Sequence, residues 1–223
     1  MDIKEINIGV DIDNTIILEV NHHMSHINEH INPDFSFSDW VEWDMLKLFP
    51  DKKDDLIKFF KTYYSKENIH NMHPMENSNT FLSKFDYENI YYITARSDWL
   101  FNNPKLETLE LLKQKDFPIK ESNLILQKDT ESKLKKCKSL IAKEKGILLF
   151  IEDNPDNALK ISKFCPVLLI DYPFNRNLDA TNVYRIGKFN DDTGEWIKNP
   201  WTQALEWLEN GRLMQIIEPF LKS

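Results

Sequence analysis

Glycine is scarce, with five residues in a chain of 223. That excludes the glycine-rich P-loop and the dinucleotide fingerprint, which need glycines at fixed spacings so that backbone can approach phosphate. Any phosphate bound here must be held by side chains, a helix N-terminus or a metal ion. Cysteine is scarcer still, with only Cys137 and Cys165. Two cannot make a disulfide framework; they fit a reducing compartment, each packing as a small apolar side chain. No apolar run is long enough to span a bilayer, and the first one starts too early to leave room for a signal peptide, so a cytoplasmic protein with no membrane partner is expected. A basic excess is also missing: 28 Lys and Arg stand against 36 Asp and Glu, a net charge of −8. Nucleic-acid polymers need a dense cationic surface and are not expected partners. A small phosphoester held through a metal is not excluded.

What is present is an ordinary globular composition, 41% hydrophobic and 29% charged. The length suits one domain with a sizeable core and room for a smaller insertion. The most informative stretch is Ile8-Gly9-Val10-Asp11-Ile12-Asp13-Asn14-Thr15. The apolar run from Ile6 to Val10 reads as a buried parallel strand. It ends in two carboxylates separated by one residue, then a threonine. Ligands in open α/β sheets bind beyond the carboxyl ends of strands, so Asp11 and Asp13 should stand at the mouth of a site. Two carboxylates that close need a cation or a proton between them, and magnesium is the usual cation where oxygens alone handle phosphate.

Past Thr15 the pattern becomes helical. Ile17, Val20, Met24, Ile27 and Ile31 recur at helical spacing, an aromatic loop (Phe35, Phe37, Trp40, Trp43) follows, and helices are expected over Met45–Phe49, Lys53–Tyr64 and Asn79–Phe85. From Ile90 strands and helices alternate. Strands are expected at Ile90–Ile93, Leu124–Leu126, Ile147–Ile151 and Val167–Ile170. Helices are expected at Pro104–Lys115, at Glu131–Lys143 with Thr130 as N-cap, and from Asn154-Pro155 to Lys163. A further helix covers Trp201–Leu208. This alternation implies an α/β fold with a doubly wound, Rossmann-like parallel sheet. Roughly 70 residues separate the first two strands, longer than usual connections. They read as a helical insertion over the strand ends: residues 16–86 form a cap, residues 1–15 and 87–223 the core.

Several strand ends then carry polar groups: Asp11 and Asp13, Thr94 followed by Ala95 and Arg96, and Glu152 with Asp153. A lysine-rich stretch holding Lys133, Lys135 and Lys136 precedes the last. Carboxylates, a hydroxyl, an ammonium group and a divalent cation are what phosphoryl transfer to an aspartate needs. Taken in order, Asp11-x-Asp13-x-Thr15, Thr94, Lys133 and Glu152-Asp153 resemble the four motifs of the haloacid dehalogenase (HAD) superfamily. The Ile93–Arg96 and Phe150–Pro155 segments, the place of the insertion and the Pro173-Phe174-Asn175-Arg176 turn most resemble the 5′(3′)-deoxyribonucleotidase group and related nucleotidases.

The resemblance implies a Mg2+-dependent phosphomonoester hydrolase acting on nucleoside monophosphates. It makes Asp11 the nucleophile that carries an aspartyl-phosphate, and Asp13 the acid that protonates the leaving oxygen. Thr94, Ala95 and Arg96 meet the phosphoryl group, Lys133 neutralises its charge, and Asp11, Asp153 and the backbone carbonyl of Asp13 hold the metal. Lys128 is a second choice for the lysine. Direct metal contact by Glu152 is left open, and Asp156 is either a supporting acid or a helix-start residue. Arg96 could touch phosphate or pair with an acid, and Asn175 or Arg176 could reach the crevice. His22, His26 and His30 share a helix face, but no carboxylate or cysteine is placed to complete a zinc site. The loop aromatics could stack on a base or form the insertion's own core. Other expected outcomes are a HAD phosphatase for a sugar phosphate or a phosphoprotein, and a binding protein that kept the fold without the chemistry.

Overall fold

The apolar opening run forms β1 (Ile8–Val10), buried along its length. It belongs to a computed structural model that describes residues 2–65, 68, 71–127 and 137–221. The chain then leaves the sheet. A short antiparallel pair, β2 (Ile17–Leu18) with β3 (His73–Pro74), ties the outgoing chain to the returning one. Between and after these strands lie α1 (Val20–His30), α2 (Met45–Leu48), α3 (Lys53–Tyr63) and α4 (Ser78–Leu82). The alternating part runs β4 (Ile90–Thr94), α5 (Pro104–Gln114), β5 (Leu124–Leu126), α6 (Lys138–Glu144), β6 (Leu149–Glu152), α7 (Pro155–Ile161), β7 (Val167–Ile170) and β8 (Val183–Ile186). An antiparallel pair, β9 (Lys188–Asn190) and β10 (Glu195–Lys198), and two helices, α8 (Pro200–Glu209) and α9 (Arg212–Ile217), follow.

Six parallel strands form the main sheet in the order β5-β4-β1-β6-β7-β8. The chain walks outward from β1 on one side, returns, and walks outward on the other. The reversal falls between β1 and β6, the point at which doubly wound sheets bind ligands beyond their carboxyl ends. The Rossmann-like α/β sheet expected from the sequence is present. Side chains alternate between its faces. Ile8, Val10, Leu149 and Ile151 enter one apolar cluster, whereas Phe150, Val167 and Leu169 enter the other with Ala158 and Ile161 of α7. Asn103 and Asn154 cap α5 and α7, and each helix has proline at its start, as the sequence suggested.

Three features differ from expectation. Ile17 lies in β2, not in the first helix, which begins at Val20. A two-residue strand is too short to show a period of its own, so its apolar residue merges with the helical pattern. β8 was not expected because it is a half-buried edge strand carrying Arg185, and β9, β10 and α9 gave no clear period either. The helix start at Glu131 with Thr130 as cap lies outside the described residues; the described helix starts at Lys138 with Cys137 before it. Among the described residues, no helix is long and apolar enough to cross a membrane.

Gly9 sits between β4 and β6, and a Cβ added there would meet the Phe150 ring at 2.4 Å. Gly9→Ala is therefore expected to cost about 1–3 kcal/mol by overpacking. Chemical denaturation checks it; an unchanged midpoint would show that the ring moves freely.

Candidate active site

The loop after β1 is held from two sides. The Tyr172 hydroxyl donates to the carbonyl of Asn14 at 3.0 Å, and the Trp201 indole donates to that of Thr15 at 3.0 Å. Asn14 takes a left-handed conformation, φ 55°, which asparagine tolerates better than most side chains. The turn leaves Asp11 and Asp13 both facing a cavity of about 340 Å³. Its other walls come from the helical segment after β1 and from the loops after β4 and β6.

Asp11 is buried beneath this cavity. The ammonium group of Lys138, the first residue of α6, lies 2.6 Å from Asp11 Oδ1 and 3.0 Å from Glu152 Oε2. Asp11, Glu152 and Asp153 each bring a carboxylate oxygen within 4.8 Å of the others. Three carboxylates thus surround one cation. Burial, with Glu152 added, pushes Asp11 up to about 7 against the pull of Lys138. Burial and then Glu152 and Asp11 hold Asp153 well above the usual carboxylate range. Lys138 is raised as well: burial would lower it, but its acidic neighbours outweigh burial and hold its proton more tightly.

The two oxygens of Asp153 differ. Oδ2 accepts the indole N–H of Trp43 at 3.2 Å, whereas Oδ1 is buried without a partner. The main chain of Asp153 is braced from behind. Its carbonyl accepts the amide of Asn175 at 2.8 Å, and Arg185 of β8 donates to the side chain and backbone of Asn175. An all-oxygen donor set with surplus negative charge and an unpaired inward oxygen fits a hard divalent cation.

Asp13 has a different setting. Arg96 donates to it through Nη2 at 2.5 Å and through Nε at 3.0 and 3.2 Å. Burial alone would raise Asp13, but the guanidinium outweighs it and holds the group below its ordinary value. On the far side Glu19 shares a hydrogen bond with Asp13 and accepts the Tyr64 hydroxyl at 2.7 Å. Burial and the charge of Asp13 hold Glu19 well above its ordinary value. Burial also pushes nearby His23 down to about 3, so its ring is neutral.

The residues singled out from sequence fall into three groups. Asp11, Asp13, Ala95, Arg96 and Asp153 line one cavity. Thr94 is buried at the end of β4, where its hydroxyl accepts the N–H of Arg96 at 3.2 Å. Lys133, like Lys128, Lys135 and Lys136, lies outside the described residues; the ammonium beside Asp11 is that of Lys138. Glu152 faces Lys138 and the N–H of Asn154. Asp156 is exposed in the first turn of α7. Arg176 turns away to Asp171 and Asp191. His26 stacks on Phe59 with centroids 3.8 Å apart, and His22 leans on Tyr63. Among the described residues the acidic group is the only cluster of three or more residues that could hold a metal ion. Of the loop aromatics, Trp40 and Trp43 line the cavity, while Phe35 and Phe37 pack against the core.

Lys138, Glu19, His23 and Tyr64 were missed. Lys138 is one lysine in a rich run, and only the start of α6 distinguishes it. Glu19 did leave a signal: it is the one acid between Ile16-Ile17-Leu18 and Val20, where a charged side chain is costly unless it has partners.

No family model matches the chain. It is 25% identical over 210 residues to a protein of Halalkalibacterium halodurans provisionally named a nucleotidase, covering 92% of this chain and 94% of that one. It is 27% identical over 194 residues to a nucleotidase of Clostridium acetobutylicum, covering 86% and 93%. Among solved structures it is similar to a HAD-superfamily hydrolase of Ehrlichia chaffeensis, with a TM-score of 0.47 and 12% identity, over 91% of this chain and 95% of that one. Over most of its length, then, the chain is similar to nucleotidases, the group its motifs resemble.

The setting of Asp11 has a pH signature. The folded state keeps its proton up to about 7, whereas the unfolded chain loses it near the ordinary carboxylate value of 3.8. The folded state binds more protons in that window, so this group's contribution to stability falls as pH rises from 3.8 to about 7. In EDTA, Asp11→Asn should therefore gain on wild type as pH rises, melting higher by at least about 2 °C at pH 8 relative to the difference at pH 4.5. Paired thermal melts decide it; a difference that stays flat with pH counts against the charge argument.

Proposed function

We propose that this chain hydrolyses a small phosphomonoester, a nucleoside or deoxynucleoside monophosphate, through a phosphorylated Asp11. One observation carries the reading: the Asp11 carboxylate lies under a cavity, with an ammonium group at 2.6 Å and a second carboxylate set around it. Asp11 attacks phosphorus, and the bond to the ester oxygen breaks. Asp13 protonates that oxygen as it leaves, then takes a proton from the water that splits the aspartyl-phosphate. Lys138 neutralises charge on Asp11 and the transferring group. A magnesium ion, when bound by Asp11, Asp153 and the Asp13 carbonyl, supplies further neutralisation of the phosphoryl oxygens. Thr94, Ala95 and Arg96 form the segment that meets the phosphoryl group. For Asp13 to act as an acid its pair with Arg96 must loosen, and an arriving phosphate gives the guanidinium another anion.

The substrate reading rests on the opposite wall. Residues 16–86 are taken as a cap over a core of residues 1–15 and 87–223. From this cap Trp40, Trp43, Phe60 and Tyr64 line the cavity, joined by Trp99 and Phe101. Such faces suit a planar base. The two free thiols suit a cytoplasmic setting.

Release of inorganic phosphate from a panel of nucleotides and sugar phosphates tests the reading. Nucleoside monophosphates should be preferred, EDTA should abolish turnover and Mg2+ restore it. Asp11→Asn should fall to background, and Asp13→Asn by about 10²–10⁴-fold. Turnover retained by Asp11→Asn would end the mechanism; sugar phosphates outrunning every nucleotide would end the substrate assignment.

A further inference from the structure

Trp43 is an unusual anchor. It is 44% exposed and lies in the stretch just before α2, yet its indole N–H reaches Asp153 Oδ2 at 3.2 Å. That bond divides the labour of one carboxylate. Oδ2 is occupied, while Oδ1 is buried and unpartnered, and one carboxylate oxygen of Asp153 lies within 4.8 Å of those of Asp11 and Glu152. The backbone of Asp153 is fixed independently by Asn175. What remains free is rotation of the carboxyl group, and the indole removes it. Hydrogen bonds of this kind orient a ligand and raise the affinity of the ion it binds.

We propose that Trp43 is a positioning residue for a divalent cation: by holding Oδ2 it turns Oδ1 toward the space shared with Asp11 and Glu152. The inference deepens the reading above and rests on its metal-dependent part. It also ties the segment after β1 to the acidic group. Linkage is reciprocal, so a cation that favours the bonded carboxylate also favours the docked position of Trp43, whose ring lines the cavity. Cation and ring-bearing substrate should then bind cooperatively.

The test uses the full chain without substrate. Melting temperature is followed against magnesium chloride concentration for wild type, Trp43→Phe and Trp43→Ala. Trp43→Phe keeps an aromatic face and loses the N–H. Both variants should melt like wild type in EDTA, since the side chain is half exposed, and both should need about tenfold more Mg2+ for half of the stabilisation. Equal Mg2+ dependence in Trp43→Phe and wild type overturns the proposal, as does a loss seen only in Trp43→Ala, which would place the effect on ring packing. A wild type that ignores Mg2+ overturns it as well. If Mg2+ binds with the expected variant pattern and no ester releases phosphate, the hydrolase reading falls and the role of Trp43 stands.

Discussion

Among the described residues, three carboxylates and one ammonium group are confined at the junction of β1 and β6, and the rest of the site follows from that imbalance. Burying surplus charge is costly. The fold bears it because the sheet reverses direction at this point. Two adjacent parallel strands end together, so residues far apart in sequence must meet just past their termini. The surplus is not an error of packing. Together with burial it raises the proton affinity of Asp11 and Asp153, and carboxylates grouped in this way could hold a metal ion.

Two residues further on, the same loop makes the opposite environment. Asp13 is less buried than Asp11, with 26% of its side chain exposed against 9%, and the Arg96 guanidinium lies against it, whereas Asp11 shares Lys138 with Glu152. Burial, with Glu152 added, raises Asp11, whereas at Asp13 the guanidinium outweighs burial, and the two acids are driven apart in proton affinity. The separation runs opposite to the proposed roles, in which Asp11 attacks as an anion and Asp13 carries the proton, so that reaction needs neutralisation at Asp11 and a loosened Arg96 pair at Asp13.

Much of this was legible in the residues. Continuous apolar runs ending in Asp11, Thr94 and Glu152 mark strands buried on both faces, and their order specifies the doubly wound sheet. The carboxylates at those ends follow directly. The lysine is harder to read, because Lys138 is chosen by where α6 begins, and a helix boundary depends on tertiary packing more than on the local pattern. The edge strand β8 escaped for a related reason: Arg185 interrupts its apolar pattern in order to brace Asn175. The partnership of Trp43 with Asp153 spans 110 positions and leaves no trace in either neighbourhood.

The two donors that steady the loop after β1 come from Tyr172 and Trp201, separated from their acceptors by 158 and 186 positions. A ribosome makes that loop well before its supports. Until Trp201 has emerged, the nascent chain carries the turn without the braces that shape it. Maturation of the site therefore waits on residues made long after it, and a fragment ending before Tyr172, however well its first strands pair, should lack a formed centre.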